Sequence, residues 1–323
     1  MKAAQIVGPR KIEIIDAKMP DMSKAPPGSL LIKTEYSAIC GSDMPHFAYE
    51  LPIDAYPLPS GFSIHECIGT VFALNSNKFK PGDAVLSLPY DNRGLANYFL
   101  SHEDKTVLLP EYEDKNAILM SQPLGTVIWA MRKLGNILNY DAVVVGQGPM
   151  GLLITHILSN LGAKRVIALD RLDYRLEVSK KMRATHTINI DKESAQKVIC
   201  DITQGSMADL VVEAVGHQIE TLNQCLDMVK DGGTILAFGV PDEEVYPLFF
   251  RRLFYKNISL IGSVHPEVKL DFPLAMDMIT QERIGVSPII THTMPFKDVQ
   301  KGFEMFLNKT HKAIKIVLNH ESR

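Results

Sequence analysis

The segment from Asp141 to Leu153 reads DAVVVGQGPMGLL and places Gly146, Gly148 and Gly151 between two apolar runs. A buried strand that enters a helix through a tight glycine turn is the start of a βαβ unit. Beyond it, apolar strand-like runs alternate with segments of helical length; the runs are RVIALD, DLVVEAV, TILAFGV and ISLIG. This alternation predicts an α/β fold with a doubly wound parallel sheet.

The same glycines suit the pyrophosphate of a dinucleotide. Gly146 permits the turn, Gly148 lets the backbone approach the phosphates, and Gly151 allows close packing of helix on strand. The phosphates would meet the N-terminus of the helix that follows, where backbone N–H groups and the helix dipole favour an anion. The sequence therefore predicts a nicotinamide dinucleotide site at this turn.

The choice between NAD and NADP depends on Asp170, which ends the next predicted strand. A carboxylate at that place accepts hydrogen bonds from the adenosine ribose hydroxyls and repels a 2′-phosphate. Arg171 and Arg175 lie close by in the sequence and could bind a phosphate. NAD is favoured, and NADP stays open as the alternative.

Composition narrows the class of protein further. The chain has 323 residues, so two domains are expected, and 46% hydrophobic with 22% charged residues is ordinary for a soluble globular protein. A formal net charge of −3 without a basic, aromatic-rich cluster excludes a nucleic-acid surface. No apolar run of about 18 residues occurs, which argues against a membrane span. We therefore expect no nucleic-acid partner and no membrane association.

Four cysteines without a C-x-x-C pair do not form a disulfide scaffold. The N-terminal segment carries charges at Arg10, Lys11, Glu13 and Asp16, so it lacks the apolar core of a secretion signal. Both observations favour a cytoplasmic protein.

Residues up to about Val107 form short β-like runs separated by Pro, Gly and Asn. A 3.6-residue period between Asn116 and Leu138 predicts a helical bridge to the parallel-sheet domain. Beyond Ser263, helices and short strands follow, and we expect them to return to the first domain.

Two segments of the first domain carry metal-binding side chains. SAICGSDMPHF contains Cys40, and SIHECIGTV contains His65 and Glu66. A thiolate, an imidazole and a carboxylate together suit Zn²⁺, and a catalytic zinc keeps a fourth position for water or substrate. Spacing alone leaves a second reading open, because a single Cys or His belongs to the core or the surface more often than to a metal site.

With the glycine turn, these segments resemble the zinc-containing medium-chain dehydrogenase/reductase family, which includes alcohol, sorbitol and threonine dehydrogenases. The resemblance spans nearly the whole chain; its motifs are CGSD at 40–43, HECIGTV at 65–71, KFKPGDAV at 78–85, QPL at 122–124, GQGPMG at 146–151, EAVG at 213–216, DGGTILAFGV at 231–240 and ISLIGS at 258–263. It implies a GroES-like β-barrel catalytic domain over 1–123 and 263–323, with a Rossmann domain over 124–262.

The resemblance also implies roles for individual residues. Cys40 and His65 bind the metal, and Glu66 is the adjacent acid, which is a direct ligand in polyol-type members. Ser42 hydrogen-bonds the substrate oxygen and passes on its proton. Asp43 orients the metal-binding histidine. With the glycine motif, the full set of implied cofactor contacts is Gly146, Gly148, Pro149, Met150, Gly151, Asp170, Arg171, Arg175, Val215, Val240 and Ser263.

Three positions depart from the family pattern. Gln122 stands where a further metal or water partner is usual, and a neutral amide would contact the metal or only its bound water. Pro45 replaces the histidine of the proton relay, which leaves His46 one place late as the candidate relay or as a solvent-facing side chain. Ile64 replaces the glycine before His65. The four-cysteine structural zinc lobe has no counterpart, so one zinc per chain is expected.

These features predict a zinc- and NAD-dependent dehydrogenase of an alcohol. Glu66, the absent second zinc and His265, which follows the IGS segment, favour a polyol or a sugar-like secondary alcohol. A zinc-free reductase of the same superfamily and a non-catalytic nicotinamide-binding protein remain the alternatives. The IGS strand implies pairing with a second copy, as a homodimer or homotetramer.

Overall fold

A computed structural model of the chain describes residues 1–49 and 51–321. They form two compact units. The first contains residues 1–123, 267–281 and the segment from 290 onward, and the second contains residues 124–266 and 282–289.

The strands are β1 (Lys2–Gly8), β2 (Lys11–Asp16), β3 (Ser29–Ile39), β4 (Glu66–Leu74), β5 (Ala84–Ser87), β6 (Tyr98–His102), β7 (Thr106–Leu108), β8 (Asp141–Val145), β9 (Arg165–Asp170), β10 (His186–Asn189), β11 (Ala208–Glu213), β12 (Val229–Ala237), β13 (Ser259–Gly262), β14 (Ile290–Pro295) and β15 (Lys315–Asn319). The α-helices are α1 (Met44–Ala48), α2 (Lys115–Leu119), α3 (Ser121–Arg132), α4 (Pro149–Asn160), α5 (Asp173–Lys181), α6 (Ala195–Ile202), α7 (Glu220–Met228), α8 (Phe250–Tyr255), α9 (Val268–Thr280) and α10 (Val299–Asn308).

The second unit is built on a parallel sheet. All residues of this unit are described, and six strands pair in the order β10-β9-β8-β11-β12-β13. Every residue of β8 is buried, as expected for a central parallel strand covered on both faces. The chain moves outward from β8 to β10 on one side and from β11 to β13 on the other. This strand order confirms the predicted doubly wound sheet.

The first unit is mainly antiparallel. In its described residues, seven strands form one sheet in which β14, β15, β3, β4, β5 and β7 follow in order and β6 also pairs with β3. The hairpin of β1 and β2 forms a separate two-stranded sheet. The core beneath contains Phe47, Phe99 and Phe303, all at most 2% exposed.

Three neighbouring strands of this sheet bring distant parts of the chain to one end. β15 pairs antiparallel with β3, so that Ile316 lies opposite Ile39. β4 pairs with the other edge of β3, so that Glu66 lies opposite Ala38. The residue after β3 and the first residues of β4 and β15 therefore lie near one another.

The C-terminal part divides differently from the predicted single segment 263–323. Residues 263–266 and 282–289 lie with the second unit, and 267–281 lie with the first. A contact that holds the short segment in place is the hydrogen bond from Asn160 Nδ2, at the end of α4, to the carbonyl oxygen of Arg283 at 2.6 Å. The apolar pattern did not indicate this contact, because it joins a polar side chain to a backbone oxygen.

The predicted helical bridge between residues 116 and 138 is two helices. α2 ends at Leu119, and α3 runs from Ser121 to Arg132, six residues short of the predicted end. Leu138 is 65% exposed and lies in the loop before β8. Among the described residues, no helix has both the length and the apolar character that a membrane span needs.

Candidate metal centre and nucleotide site

Cys40 follows β3 and begins a short helical turn, Gly41–Asp43, which leads into α1. The Asp43 carboxylate accepts the backbone N–H of Cys40 at 2.8 Å. In the opposite direction, the Cys40 side chain faces the backbone N–H of Asp43, which completes a reciprocal cap. This arrangement fixes the backbone of Cys40 at the start of the turn.

His65 and Glu66 come from the beginning of β4. One ligand atom each from Cys40, His65 and Glu66 lies within 4.8 Å of the other two. Zinc binds sulfur at about 2.3 Å and nitrogen or oxygen at about 2.0–2.2 Å, so the three side chains are close enough together to hold one zinc ion after a small inward movement. The structure thus brings together three of the four residues predicted to bind the metal.

Glu66 forms a buried ion pair that the sequence analysis missed. Its Oε1 accepts a hydrogen bond from Lys315 Nζ at 2.6 Å, and each side chain is 1% exposed. The other carboxylate oxygen, Oε2, is buried and lacks a hydrogen-bond partner among the described residues. A buried polar atom of this kind is costly unless it binds something, and beside the Cys40 thiol and the His65 imidazole it fits a zinc ligand.

Charges near this cluster act on one another. Burial raises the pKa of the Cys40 thiol, the negative charge of Glu66 raises it further, and Lys315 and Ser42 oppose both effects. Burial alone would lower the pKa of Lys315, yet the charges of Glu66 and Cys40 raise it overall. Lys315 is therefore a cation held inside the protein by the acidic groups of the cluster.

The structure shows the Asp43 carboxylate hydrogen-bonded to residues other than His65. One carboxylate oxygen accepts the Cys40 N–H, and the other accepts the Ser63 hydroxyl at 3.2 Å. Burial raises the pKa of Asp43 to about 7, an effect that the nearby His65 partly opposes. Asp43 thus holds the backbone of Cys40 directly and influences His65 through its charge.

The remaining candidates of the first unit lie around this cluster. Ser42 has a buried hydroxyl and lies close enough to Cys40 to affect the pKa of the thiol. His46 is half-buried on α1, its ring meets Phe62 edge-on at 4.8 Å between centroids, and burial lowers its pKa. Gln122 is buried in the first turn of α3, and its contact with a metal stays a prediction.

Ile64, which replaces a glycine of the family pattern, packs in the core of the first unit. Its side chain is completely buried in the core of the first unit, and its carbonyl oxygen accepts the backbone N–H of Gly94 at 2.9 Å. The substitution adds packing next to His65 and no competing chemistry.

In the second unit, the glycine turn follows β8 and leads into α4. Gly146 has a φ of +90°, a left-handed conformation that other residues rarely adopt. A Cβ on Gly151 would lie 1.8 Å from the carbonyl oxygen of Gly146, so the helix approaches the turn closely. Around Gly148 a Cβ would find no atom nearer than 3.9 Å, which leaves room for a ligand at the backbone. Pro149 and Met150 form the first turn of α4.

Asp170 is tied to the turn from the end of β9. Its Oδ2 accepts the backbone N–H of Gln147 at 2.7 Å, and its Oδ1 accepts that of Leu172 at 2.9 Å. Arg175 Nη1 lies 3.6 Å from the same carboxylate, and its buried Nε has no hydrogen-bond partner among the described residues. Arg171, by contrast, points to Asp191 at the surface. Arg175 is thus the arginine that the structure brings to Asp170.

Gln147 is an anchor of the turn that sequence reasoning missed. The side chain is completely buried; its Nε2 donates to the carbonyl oxygen of Val144 at 3.2 Å, and its Oε1 accepts the hydroxyl of Thr155 at 3.0 Å. Gln147 therefore connects the strand, the turn and the helix. The glycine motif does not indicate this role, because it does not specify the residue between Gly146 and Gly148.

The other predicted cofactor contacts follow the ends of further strands. Val215 belongs to a loop after β11 in which the Glu213 carboxylate accepts two backbone N–H groups, those of Val215 and Gly216. Val240 lies after β12 and accepts the backbone N–H of His217 at 2.9 Å. Ser263 follows β13, and its buried hydroxyl lacks a partner in the described part of the chain. All these loops lie at the carboxyl end of the parallel sheet, where such folds bind ligands.

Two family models match the chain. The model of the alcohol dehydrogenase GroES-like domain matches residues 26–112, and that of the zinc-binding dehydrogenases matches residues 149–281. The first covers the cysteine, histidine and glutamate cluster, and the second begins at the glycine turn. The chain belongs to the zinc-type medium-chain dehydrogenase/reductase family.

Similar proteins cover the whole length of this family member. The D-arabitol-phosphate dehydrogenase of Enterococcus avium is 26% identical, over 98% of this chain and 97% of its own. Among solved structures, an alcohol dehydrogenase of Thermus sp. ATN1 has a TM-score of 0.85 and 23% identity over 99% of each chain. An alcohol dehydrogenase of Escherichia coli CFT073 in complex with NADH has a TM-score of 0.84 and 22% identity over 99% of each chain.

Membership confirms the predicted family and the predicted combination of a GroES-like domain with a Rossmann-like parallel sheet. The named relatives are polyol and alcohol dehydrogenases, so the family chemistry is oxidoreduction.

Proposed function

We propose that the protein is a zinc-dependent oxidoreductase that transfers a hydride from a polyol or sugar-like secondary alcohol to NAD. The observation that carries the proposal is the buried, unpartnered Oε2 of Glu66 in a cluster with Cys40 and His65. When bound, zinc would supply a Lewis acid for the substrate hydroxyl and NAD would accept the hydride.

The proposed role of Cys40 depends on Asp43. A ligand contributes to metal affinity when its position is fixed before the metal arrives, and outer partners of ligands commonly change the affinity by about 10–100-fold. The reciprocal cap between Cys40 and Asp43 fixes the backbone of the thiol ligand, and the Ser63 hydroxyl holds the second oxygen of Asp43.

Ser42 is the proposed contact for the substrate hydroxyl proton. Its hydroxyl is placed next to Cys40 by the same helical turn, and a serine can accept one proton while donating its own. His46 is three positions beyond the turn with its pKa lowered by burial, so it would be neutral near pH 7 and able to accept a proton. We propose His46 as the outward end of the route.

For the cofactor, we propose NAD with the adenosine ribose at Asp170 and the phosphates at the N-terminus of α4. The backbone around Gly148 has room for a ligand. A dinucleotide could also form hydrogen bonds with Arg175 Nε and Ser263 Oγ, which are buried and have no partner among the described residues. The Escherichia coli protein with the same fold binds NADH, which is consistent with this choice. The same contacts would include Val215 and Val240.

The first experiment is metal analysis of purified protein together with a substrate panel. We expect about one zinc per chain and NADH formation with one or more of a set of alcohols, polyols and polyol phosphates; the name of the Enterococcus avium relative places D-arabitol phosphate in that set. Protein free of zinc that still forms NADH with one of these substrates would instead establish a zinc-free member of the superfamily. NADH binding without turnover on any substrate would favour a non-catalytic nicotinamide-binding protein.

We further propose that the protein is a homo-oligomer formed through β13. This strand is at the edge of the parallel sheet, and its Leu260 side chain is 41% exposed. An edge strand offers unpaired backbone groups that a second copy can pair with across a two-fold axis. Analytical ultracentrifugation should give a dimer or a tetramer, and a monomer at micromolar concentration would contradict the proposal.

A further inference from the structure

Lys315 occupies an unusual position for a lysine. The residue is completely buried, and its ammonium group contacts one oxygen of the Glu66 carboxylate, 249 residues away in the sequence. A lysine rarely occupies the interior unless an anion compensates for its lost hydration. The position of Lys315 therefore depends on Glu66.

The same argument applies to Glu66. Its carboxylate is 1% exposed and lies beside a thiol that is itself a proposed metal ligand. A buried anion needs a cation close by, which a bound metal ion would provide. Lys315 already provides one, through Oε1, and leaves Oε2 without a partner.

We propose that Lys315 is a positioning residue that substitutes for the metal in the metal-free site, an inference that rests on the proposed function. It neutralises Glu66 and holds the carboxylate with Oε2 available for the ion. A metal ion that binds Oε2 is then a second cation on the Glu66 carboxylate, and the Lys315 ammonium group repels it. Lys315 therefore protects the metal-free site at the expense of metal affinity.

The test is Lys315→Met, which keeps the length of the side chain and removes its charge. Metal-free Lys315→Met should unfold at a lower temperature than metal-free wild type, because Glu66 is left without a cation. Zinc should raise the melting temperature of the variant more than that of wild type. Competition with a chromophoric chelator at pH 8 should give a zinc dissociation constant about tenfold smaller for the variant, since like-charge repulsion is gone.

Two control variants separate this role from ordinary packing. Lys315→Arg keeps the cation and should restore both the wild-type stability without metal and the wild-type zinc affinity. Lys230→Met makes the same chemical change at a part-buried ion pair with Asp209 in the other unit. It should lower stability without altering the effect of zinc.

The outcomes distinguish failure of the proposed role of Lys315 from failure of the proposed zinc site. Zinc binding by the variant that is equal to or weaker than that of wild type would overturn the inference and leave the zinc site itself intact. A wild-type protein that binds no zinc would instead contradict the proposed function. If Lys315→Met does not fold without metal, refolding with and without zinc serves as the measurement: recovery with zinc supports the inference, and failure in both conditions refutes it.

Discussion

The glycine turn and the metal cluster are built on opposite principles. Most of the turn comes from one continuous stretch, Gly146 to Arg175, in which the strand, the turn, the helix and the terminal carboxylate follow one another. The metal cluster combines Cys40, the pair His65 and Glu66, and Lys315 near the C-terminus. Local chain geometry produces the first site, and the register of three adjacent strands produces the second.

This difference has a consequence for mutations. A site made by one segment fails when the backbone of that segment is disturbed, and distant substitutions leave it intact. A site made by strand register depends on groups far apart in the sequence. The two sites should therefore be separable, so that each can be lost while the other is retained.

Cys40→Ala should have the largest effect, because it removes an anionic metal ligand. We expect zinc to be lost and the turnover of alcohol to fall by at least about 1000-fold, while NADH binding in the other unit stays unchanged. Metal analysis, NADH formation and NADH fluorescence titration measure the three quantities. Cys200→Ala makes the same change on α6, outside the cluster, and should alter none of them. Substantial turnover by Cys40→Ala would refute the metal role.

Gly151→Ala is the corresponding test of the turn. The added Cβ would lie 1.8 Å from the Gly146 carbonyl oxygen, so α4 must move away from the turn. Overpacking of this kind costs about 1–3 kcal/mol and displaces the phosphate-binding backbone, so NADH should bind roughly 100-fold more weakly. Zinc content should remain at the wild-type level.

The matched control is Gly285→Ala in the same unit, where an added Cβ meets no atom within 4 Å. Its affinity for NADH should be that of wild type. If Gly151→Ala also loses its zinc, the nucleotide site and the metal cluster cannot be lost separately.

The contrast between the sites also explains what could be predicted from the sequence. Strand and helix patterns identified β8, α4 and β9, and with them the glycine turn, since each step is local. By contrast, nothing near Lys315 in the sequence indicates that it faces Glu66, because that contact depends on the pairing of β15 with β3. A buried lysine inside an apolar strand, AIKIVL, was the available signal.

Other features were missed for comparable reasons. The strand β10 has four residues and the helix α6 has eight, and the apolar runs that predict the alternation beyond β9 do not include them. The resemblance gives Asp43 a role at the histidine but does not indicate that its carboxylate also accepts the backbone N–H of Cys40, because that hydrogen bond depends on the local turn. In each case a specific hydrogen bond or pairing decided the structure.

Asp170→Asn should have a moderate effect confined to the nucleotide. The amide oxygen keeps only one of the two hydrogen bonds that the carboxylate accepts, from the backbone N–H groups of Gln147 and Leu172, and the charge that excludes a 2′-phosphate is lost. We expect the preference for NADH over NADPH to fall by about tenfold, as measured by fluorescence titration with both nucleotides. Glu177→Gln, at the exposed ion pair with Lys180 on α5, is the control and should leave the preference unchanged. An unchanged preference in Asp170→Asn would remove Asp170 as its determinant.

The smallest effect concerns the strand that carries Lys315. His320 follows β15, its Nε2 lies 2.9 Å from the Ser37 hydroxyl on β3, and its ring stacks on Phe296 at 4.3 Å. Burial lowers the pKa of His320 to about 3, well below its value in an unfolded chain. Between about pH 6.5 and pH 3 the unfolded state therefore binds the additional proton, so stability falls as the pH falls through this range.

Because part of His320 reaches solvent, we expect a loss of roughly 1 kcal/mol between pH 7 and pH 5 from this residue. Urea denaturation at the two pH values measures it, and His320→Phe, which keeps the stacking and cannot be protonated, should reduce the dependence by that amount. The loss should appear in the unit that contains β3 and β15, and hydrogen exchange at Val317 and Val143 can compare the two sheets. If hydrogen exchange at Val317 and at Val143 changes equally with pH, protonation of His320 does not act on the strands of the metal cluster in particular. The expected difference between the two sites would then be wrong.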